Sequence, residues 1–183
     1  MKQRMCSLFL ALVLLLSLAV PAAAAGTMPF TDVKESDWFY SYVKTMYDNE
    51  LVSGTTPTTF SPQDTVTLGE ALKFVLNAAG YTAPTTSGKN WASGYYQLAQ
   101  EKGFLNSSWS LGLNDAINRL QIAELIVNVL GVERKQQTAS PFTDTSDVAA
   151  LILSDHGIFE GTTERDGKTY FYPQRNISRA EIS

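Results

Sequence analysis

Ile177-Ser178-Arg179-Ala180-Glu181 decides the fold, because two altered copies of this stretch stand upstream in matching surroundings. Ser178 is a good helix N-cap. Glu181, three positions on, can reach back to the backbone N–H of the cap, so the two residues close a capping box and a helix starts there. The first copy is Val66-Thr67-Leu68-Gly69-Glu70 and the second is Ile117-Asn118-Arg119-Leu120-Gln121, with Thr/Glu and Asn/Gln at the box positions. In two of the three, Arg119 and Arg179 follow the cap directly. A helix start is already mildly positive through its unpaired N–H groups, so an arginine at that place invites an anion.

The chain opens with Lys2 and Arg4, an apolar run from about Met5 to Val20, then Pro21 and Ala22 to Ala25. That order predicts a secretory signal peptide over residues 1–25. The competing reading, a membrane anchor, needs about 20 apolar residues, more than this run supplies. Cleavage would remove Cys6, the only cysteine, so neither disulfides nor cysteine metal sites are expected of the mature chain. It would also remove two of 14 basic residues against 18 acidic ones, taking the formal charge from -4 to -6. Such a balance argues against nucleic acid as a partner and gives no polybasic attraction toward a membrane.

From Phe30 onward the chain reads as repeats. The first, residues 28–81, opens Phe30-Thr31-Asp32, passes Asp37-Trp38, and continues as a helix with Trp38, Tyr42, Val43, Met46 and Tyr47 assigned to one apolar face. Leu51 to Gly54 ends that helix, Phe60-Ser61-Pro62 makes a turn, and the helix capped by Thr67 runs to Gly80. The second, 90–132, opens at Asn90-Trp91, replaces the Phe-x-Pro turn by Leu111-Gly112-Leu113, and closes its capped helix on Gly131. The third, 141–183, opens Phe142-Thr143-Asp144 and reaches Phe171-Tyr172-Pro173 before the capped Ile177 stretch. The polar connectors, Thr82 to Lys89 and Glu133 to Pro141, suit surface linkers.

The two Phe-Thr-Asp openings, the Phe-x-Pro loops and the Ile-Ser-Arg-Ala-Glu box resemble the S-layer homology domain, a family found as tandem triplets on exported bacterial proteins. The resemblance covers nearly all of the chain after residue 27. It implies an all-α fold of three helix-loop-helix repeats packed with pseudo-threefold symmetry. It further implies noncovalent anchoring, without catalysis, metal or cofactor, to the wall of a bacterium of Gram-positive type. The partner would be a secondary wall polysaccharide bearing pyruvate ketals, with other S-layer or surface proteins as further partners.

A ketal pyruvate presents a carboxylate on a sugar, which calls for a fixed cation, helix N–H donors and a flat apolar surface. Arg119 and Arg179 are assigned the first role, where a guanidinium pairs bidentately with a carboxylate. The helix starts at Asn118 and Ser178 are assigned the second. Trp38 and Trp91 stand for the third or fill the core, and the sequence leaves both readings open. Glu70, Gln121 and Glu181 read as box residues, Phe60 and Phe171 as turn plugs, and Asp32 and Asp144 as caps or braces of the following helix.

Departures from the pattern matter equally. Leu68 stands where the first repeat should carry its arginine, so that groove is expected to be silent. The second repeat lacks the Phe-x-Asp opening, and the third lacks the tryptophan and has about four extra residues around Thr163 to Tyr170. The sequence ends at Ser183 in the first turn of the last capped helix, and a fragment of a longer anchored protein, an enzyme among the possibilities, is the expectation. His156, the only histidine, invites a general-base reading, but repeat alignment puts it level with Asn49 and Lys102 at the polar tail of a helix. A protein-interaction module that binds no glycan is the remaining alternative.

Overall fold

The computed structural model describes residues 28–86, 90–135 and 139–183. The expected signal peptide, with Cys6, lies outside the described residues. Six helices and one short hairpin stand among those residues: α1 (Tyr40–Asp48), α2 (Leu68–Ala78), α3 (Ser93–Glu101), α4 (Arg119–Leu130), α5 (Val148–Asp155), β1 (Thr162–Thr163), β2 (Thr169–Tyr170) and α6 (Arg179–Ile182). Each repeat therefore contributes a short helix and a capped one. The all-α expectation is corrected by the hairpin, which is built from the extra residues of the third repeat. Gly167 takes the left-handed conformation (φ +76°) that closes its turn, and Glu164 N donates to Lys168 O at 2.9 Å.

All three capping boxes form. Thr67 N donates to Glu70 Oε2 at 3.0 Å, Asn118 N to Gln121 Oε1 at 3.0 Å, and Ser178 N to Glu181 Oε2 at 3.0 Å, each answered by the reverse bond from backbone to cap side chain. The residue before each cap is fully buried and joins a closed ring of backbone hydrogen bonds: Val66 N to Ile177 O, Ile177 N to Ile117 O, and Ile117 N to Val66 O. The next two amides of every capped helix find carbonyls on the turn of a different repeat. Leu68 and Gly69 donate to Asp115 and Leu113, Arg119 and Leu120 to Arg175 and Pro173, and Arg179 and Ala180 to Asp64 and Pro62. Nine backbone bonds thus link the repeats head to tail at their helix starts, where a lone helix would leave amides unpaired.

Apolar burial follows the same plan. α4 packs on α5, and α2 packs on α3 and α4, around a core that includes Leu68, Leu72, Leu76, Ile122, Leu125, Leu153 and Phe171. A second cluster gathers Phe30, Phe39, Val43, Phe60 and Phe74 beneath α1, with Ala180 of the third repeat completing it. The face assigned to the first helix is corrected here. Phe39 and Val43 turn inward, whereas Trp38 and Tyr42 are 63% and 57% exposed, because α1 begins only at Tyr40 and Trp38 belongs to the preceding turn.

Asp32 and Asp144 brace a different element from the one expected. Asp32 accepts from Phe60 N and Ser61 N at 2.8 and 2.7 Å, and Asp144 from Phe171 N and Tyr172 N at 2.8 Å each. Each carboxylate pins the Phe-x-Pro turn of its own repeat, where Ser61 and Tyr172 adopt positive φ (62° and 58°). A charge-assisted pair of bonds holds a backbone that these side chains would otherwise avoid.

Candidate functional site

The turns held by the aspartates carry Phe60 and Phe171, both fully buried, and each forms the floor under an arginine. Arg179 stacks on Phe60 and Phe74, its guanidinium carbon 4.7 and 5.3 Å from the two ring centroids. Its Nε donates to Phe60 O (2.8 Å), Nη1 to Glu70 Oε1 (2.6 Å) and Nη2 to Ser53 O (3.0 Å). Arg119 repeats the arrangement over Phe171 and Phe159 at 5.0 and 5.1 Å, with Nε on Phe171 O at 2.7 Å and Nη1 3.5 Å from Glu181 Oε1. Arg175 donates to both oxygens of that carboxylate.

Neither arginine stands in solvent, as a charge on the first turn of a helix ordinarily does. Arg119 and Arg179 are 7% and 3% exposed, and each ties the box of one repeat to the box glutamate of another. Burial lowers the Arg119 pKa, with the Glu181 carboxylate opposing it. For Glu181, burial pushes the pKa up, but the bonds from Arg175 and Ser178 and the nearby Arg119 outweigh it and leave the carboxyl below its usual range. The amides expected to greet an anion at Asn118 and Ser178 are already engaged by protein oxygens. These two caps instead fix where the arginines start their helices.

In the third position of this cycle, Leu68 replaces the arginine and Gln121 the glutamate. The cation and its counter-charge are missing together, so neither is left buried alone, which would cost several kcal/mol.

Around Arg179 lies a cleft of about 370 Å³, bounded by Ser53, Gly54, Thr55, Glu70, Lys73, Phe74 and Trp91. Lys73 sits one turn beyond Glu70 on α2. Its Nζ donates to Ser53 Oγ at 3.0 Å and stands 5.9 Å from the centre of the Trp91 ring. Burial lowers the Lys73 pKa, Arg179 lowers it further, and Glu70 partly opposes them. Trp91 is 60% exposed and reaches over the start of α2, where a Cβ on Gly69 would lie 2.8 Å from Ala92 Cβ. The same need for close approach applies at Gly54, where a Cβ would come within 2.4 Å of Thr56 O. Three repeats thus meet in one cleft: Arg179 from the third, Lys73 and the 53–55 loop from the first, and Trp91 from the second.

Lys73 was not singled out from the sequence. Its signal was its position three residues after a box glutamate, hence on the same helix face. Trp38, edge-to-face with Phe39 at 5.4 Å, is exposed like Trp91. Neither tryptophan fills the core.

Residues 29–72 and 141–182 match the S-layer homology domain family. The chain carries S-layer homology domains. Both matched spans include a Phe-Thr-Asp opening and a Phe-x-Pro turn, and the degenerate middle repeat lies outside them. A similar protein is the endoglucanase of Bacillus sp. (strain KSM-635), 33% identical over 202 residues, with 96% of this chain and 21% of that protein covered. The middle cell wall protein of Brevibacillus brevis is 34% identical over 109 residues (59% of this chain, 10% of that one). The surface-layer 125 kDa protein of Lysinibacillus sphaericus is 24% identical over 159 residues (80% and 13%). The chain spans about a fifth or less of the length of these relatives.

His156 is the C-cap of α5, as Asn49 and Lys102 are of α1 and α3, and its Nε2 lies 3.0 Å from Glu133 O. The repeat alignment of these three tails is borne out residue for residue. Among the described residues no helix is long and apolar enough to cross a membrane.

Proposed function

We propose that the chain anchors a protein to a bacterial cell wall by gripping an anionic wall polysaccharide, such as one bearing pyruvate ketals, in the cleft around Arg179. One observation carries this reading: two cations, Arg179 and Lys73, share a cleft of sugar size with an exposed indole. A carboxylate would meet the Lys73 ammonium and the rim of the guanidinium, while the Trp91 face takes the apolar side of a sugar ring. The burial that makes the two arginines rigid favours this role, since the cation is held in place before the ligand arrives. The groove around Arg119, with Trp38 at the corresponding repeat position, is the second candidate site. Asn118 and Ser178 serve both grooves by placing their arginines.

The three repeats are read as a pseudo-threefold body, supported by the ring through Val66, Ile117 and Ile177. Export to the wall of a Gram-positive-type bacterium is supported by the cell-wall and surface-layer proteins among the relatives. The endoglucanase relative favours a second reading in which an anchored enzyme is the cargo, the chain itself supplying attachment without catalysis. Other surface proteins remain partners under either reading.

Lys73 gives the test. Its lowered pKa means that the free fold gives up the proton earlier than the unfolded chain, so stability rises with pH just below 10.5. An anion favours the charged ammonium, so affinity for the pyruvylated polymer falls as pH rises through the same window. Lys73→Gln is expected to weaken binding about tenfold, the worth of one charge-assisted hydrogen bond, and to remove the pH dependence. Calorimetric titration from pH 7 to 11 reads both; unchanged affinity in the variant refutes the assignment.

A further inference from the structure

A cleft at the middle repeat adjoins Leu68, which stands in the cycle where Arg119 and Arg179 stand in the other two places, and its lining carries no charge. It encloses about 320 Å³ between α2, α3 and the 105–111 loop, with Leu68, Tyr96, Asn106, Ser107 and Trp109 on its walls. Position by position, Leu68 replaces Arg179, Gln121 replaces Glu70, Asn106 replaces Ser53 and Glu124 replaces Lys73. Glu124 Oε2 accepts from Trp109 Nε1 at 3.1 Å and from Asn106 Nδ2 at 2.9 Å. The Glu124 carboxylate, itself outside the lining, thus fixes an indole and an amide that belong to it, and the lining holds no cation.

From this we infer that the cleft beside Leu68, on the side of the first repeat where the groove was expected to be silent, is instead a second sugar site that selects an uncharged residue. Half-buried Trp109 and Tyr96 offer faces to a sugar ring, and Asn106 and Ser107 offer hydroxyl-matching donors and acceptors. An anion entering would find no positive charge in the lining and the Glu124 carboxylate behind Trp109 and Asn106, so the pocket rejects the ligand that the Arg179 cleft takes. The inference rests on the wall-glycan reading and divides the polymer between two sites: charged units at Trp91 and neutral units at Trp109. Two weak sites on one strand add through effective concentration.

The indole N–H signals of Trp38, Trp91 and Trp109 in the nitrogen–proton NMR spectrum of the intact protein separate the sites. The probes are oligosaccharides released from the wall polymer and split by anion exchange into neutral and pyruvylated fractions. The neutral fraction is expected to shift Trp109 and leave Trp91 in place, and Ser107→Trp, an exposed change that fills the cleft, to weaken this at least tenfold. The inference is overturned if the neutral fraction leaves Trp109 unmoved, if both fractions shift it alike, or if Ser107→Trp binds as the wild type does. A Trp91 response to the pyruvylated fraction with none at Trp109 sinks this inference and keeps the anchoring proposal. The reverse pattern sinks the anionic site and keeps the neutral one.

Discussion

Arg179→Leu is expected to destabilise the protein by about 3 to 5 kcal/mol, and adding Glu70→Gln to return more than half of that loss. The guanidinium is almost fully enclosed between Phe60 and Phe74 and supplies hydrogen bonds to two backbone carbonyls and to Glu70. Removing it leaves the Glu70 carboxylate facing apolar surface without its counter-charge, and this orphaned partner, more than the lost attraction, sets the size of the effect. Glutamine in place of Glu70 removes the stranded charge while keeping an acceptor for Thr67 N. The protein already contains that replacement in the pair Leu68 and Gln121, where the capping box still closes through Asn118. Urea unfolding of the two single variants and the double variant reads the coupling. Additive losses would show that Arg179 and Glu70 act independently.

Phe171→Ala is expected to cost about 3 to 5 kcal/mol, as for other fully buried phenylalanines, whereas Trp91→Ala should cost well under 1 kcal/mol. Phe171 has no exposed surface, lies 5.2 Å from the Phe142 ring and 6.0 Å from Phe159, and carries Arg119 on its face. Truncation opens a cavity and removes the surface against which the cation is packed. Trp91 by contrast keeps most of its ring in solvent, so its loss removes the proposed binding surface and little of the core. Thermal unfolding of both variants checks the contrast; equal losses would mean that Trp91 supports the fold.

The helix starts were legible in the sequence because a capping box is a local device: Thr67/Glu70, Asn118/Gln121 and Ser178/Glu181 need only the right residues three apart. The alignment of Asn49, Lys102 and His156 was legible for the same reason. What escaped was everything set by contacts between residues distant in sequence. Arg179 meets Glu70 across 109 residues of sequence, and Asp32 meets Phe60 N across 28, so neither partner could be read from spacing. The arginines looked solvated because a charge on the first turn of a helix ordinarily is. Here the neighbouring repeat folds over it and supplies an aromatic floor. The hairpin at Thr162 to Tyr170 was visible only as extra length, since two-residue strands carry no alternation to detect.

These packing roles dictate how the central claim is tested. Removing Arg119 or Arg179 would damage the fold and the cleft together, so the informative changes are at exposed Trp91 and half-buried Lys73. The measurement is retention of the purified protein on cell-wall sacculi, before and after chemical removal of the secondary polysaccharide, beside a Lys73→Gln, Trp91→Ala variant whose folding is verified by circular dichroism. The account predicts retention of the wild type on intact walls, release from stripped walls, and retention of the folded variant reduced at least tenfold on intact walls. Equal retention on stripped walls, or a variant that binds as the wild type does, would contradict it.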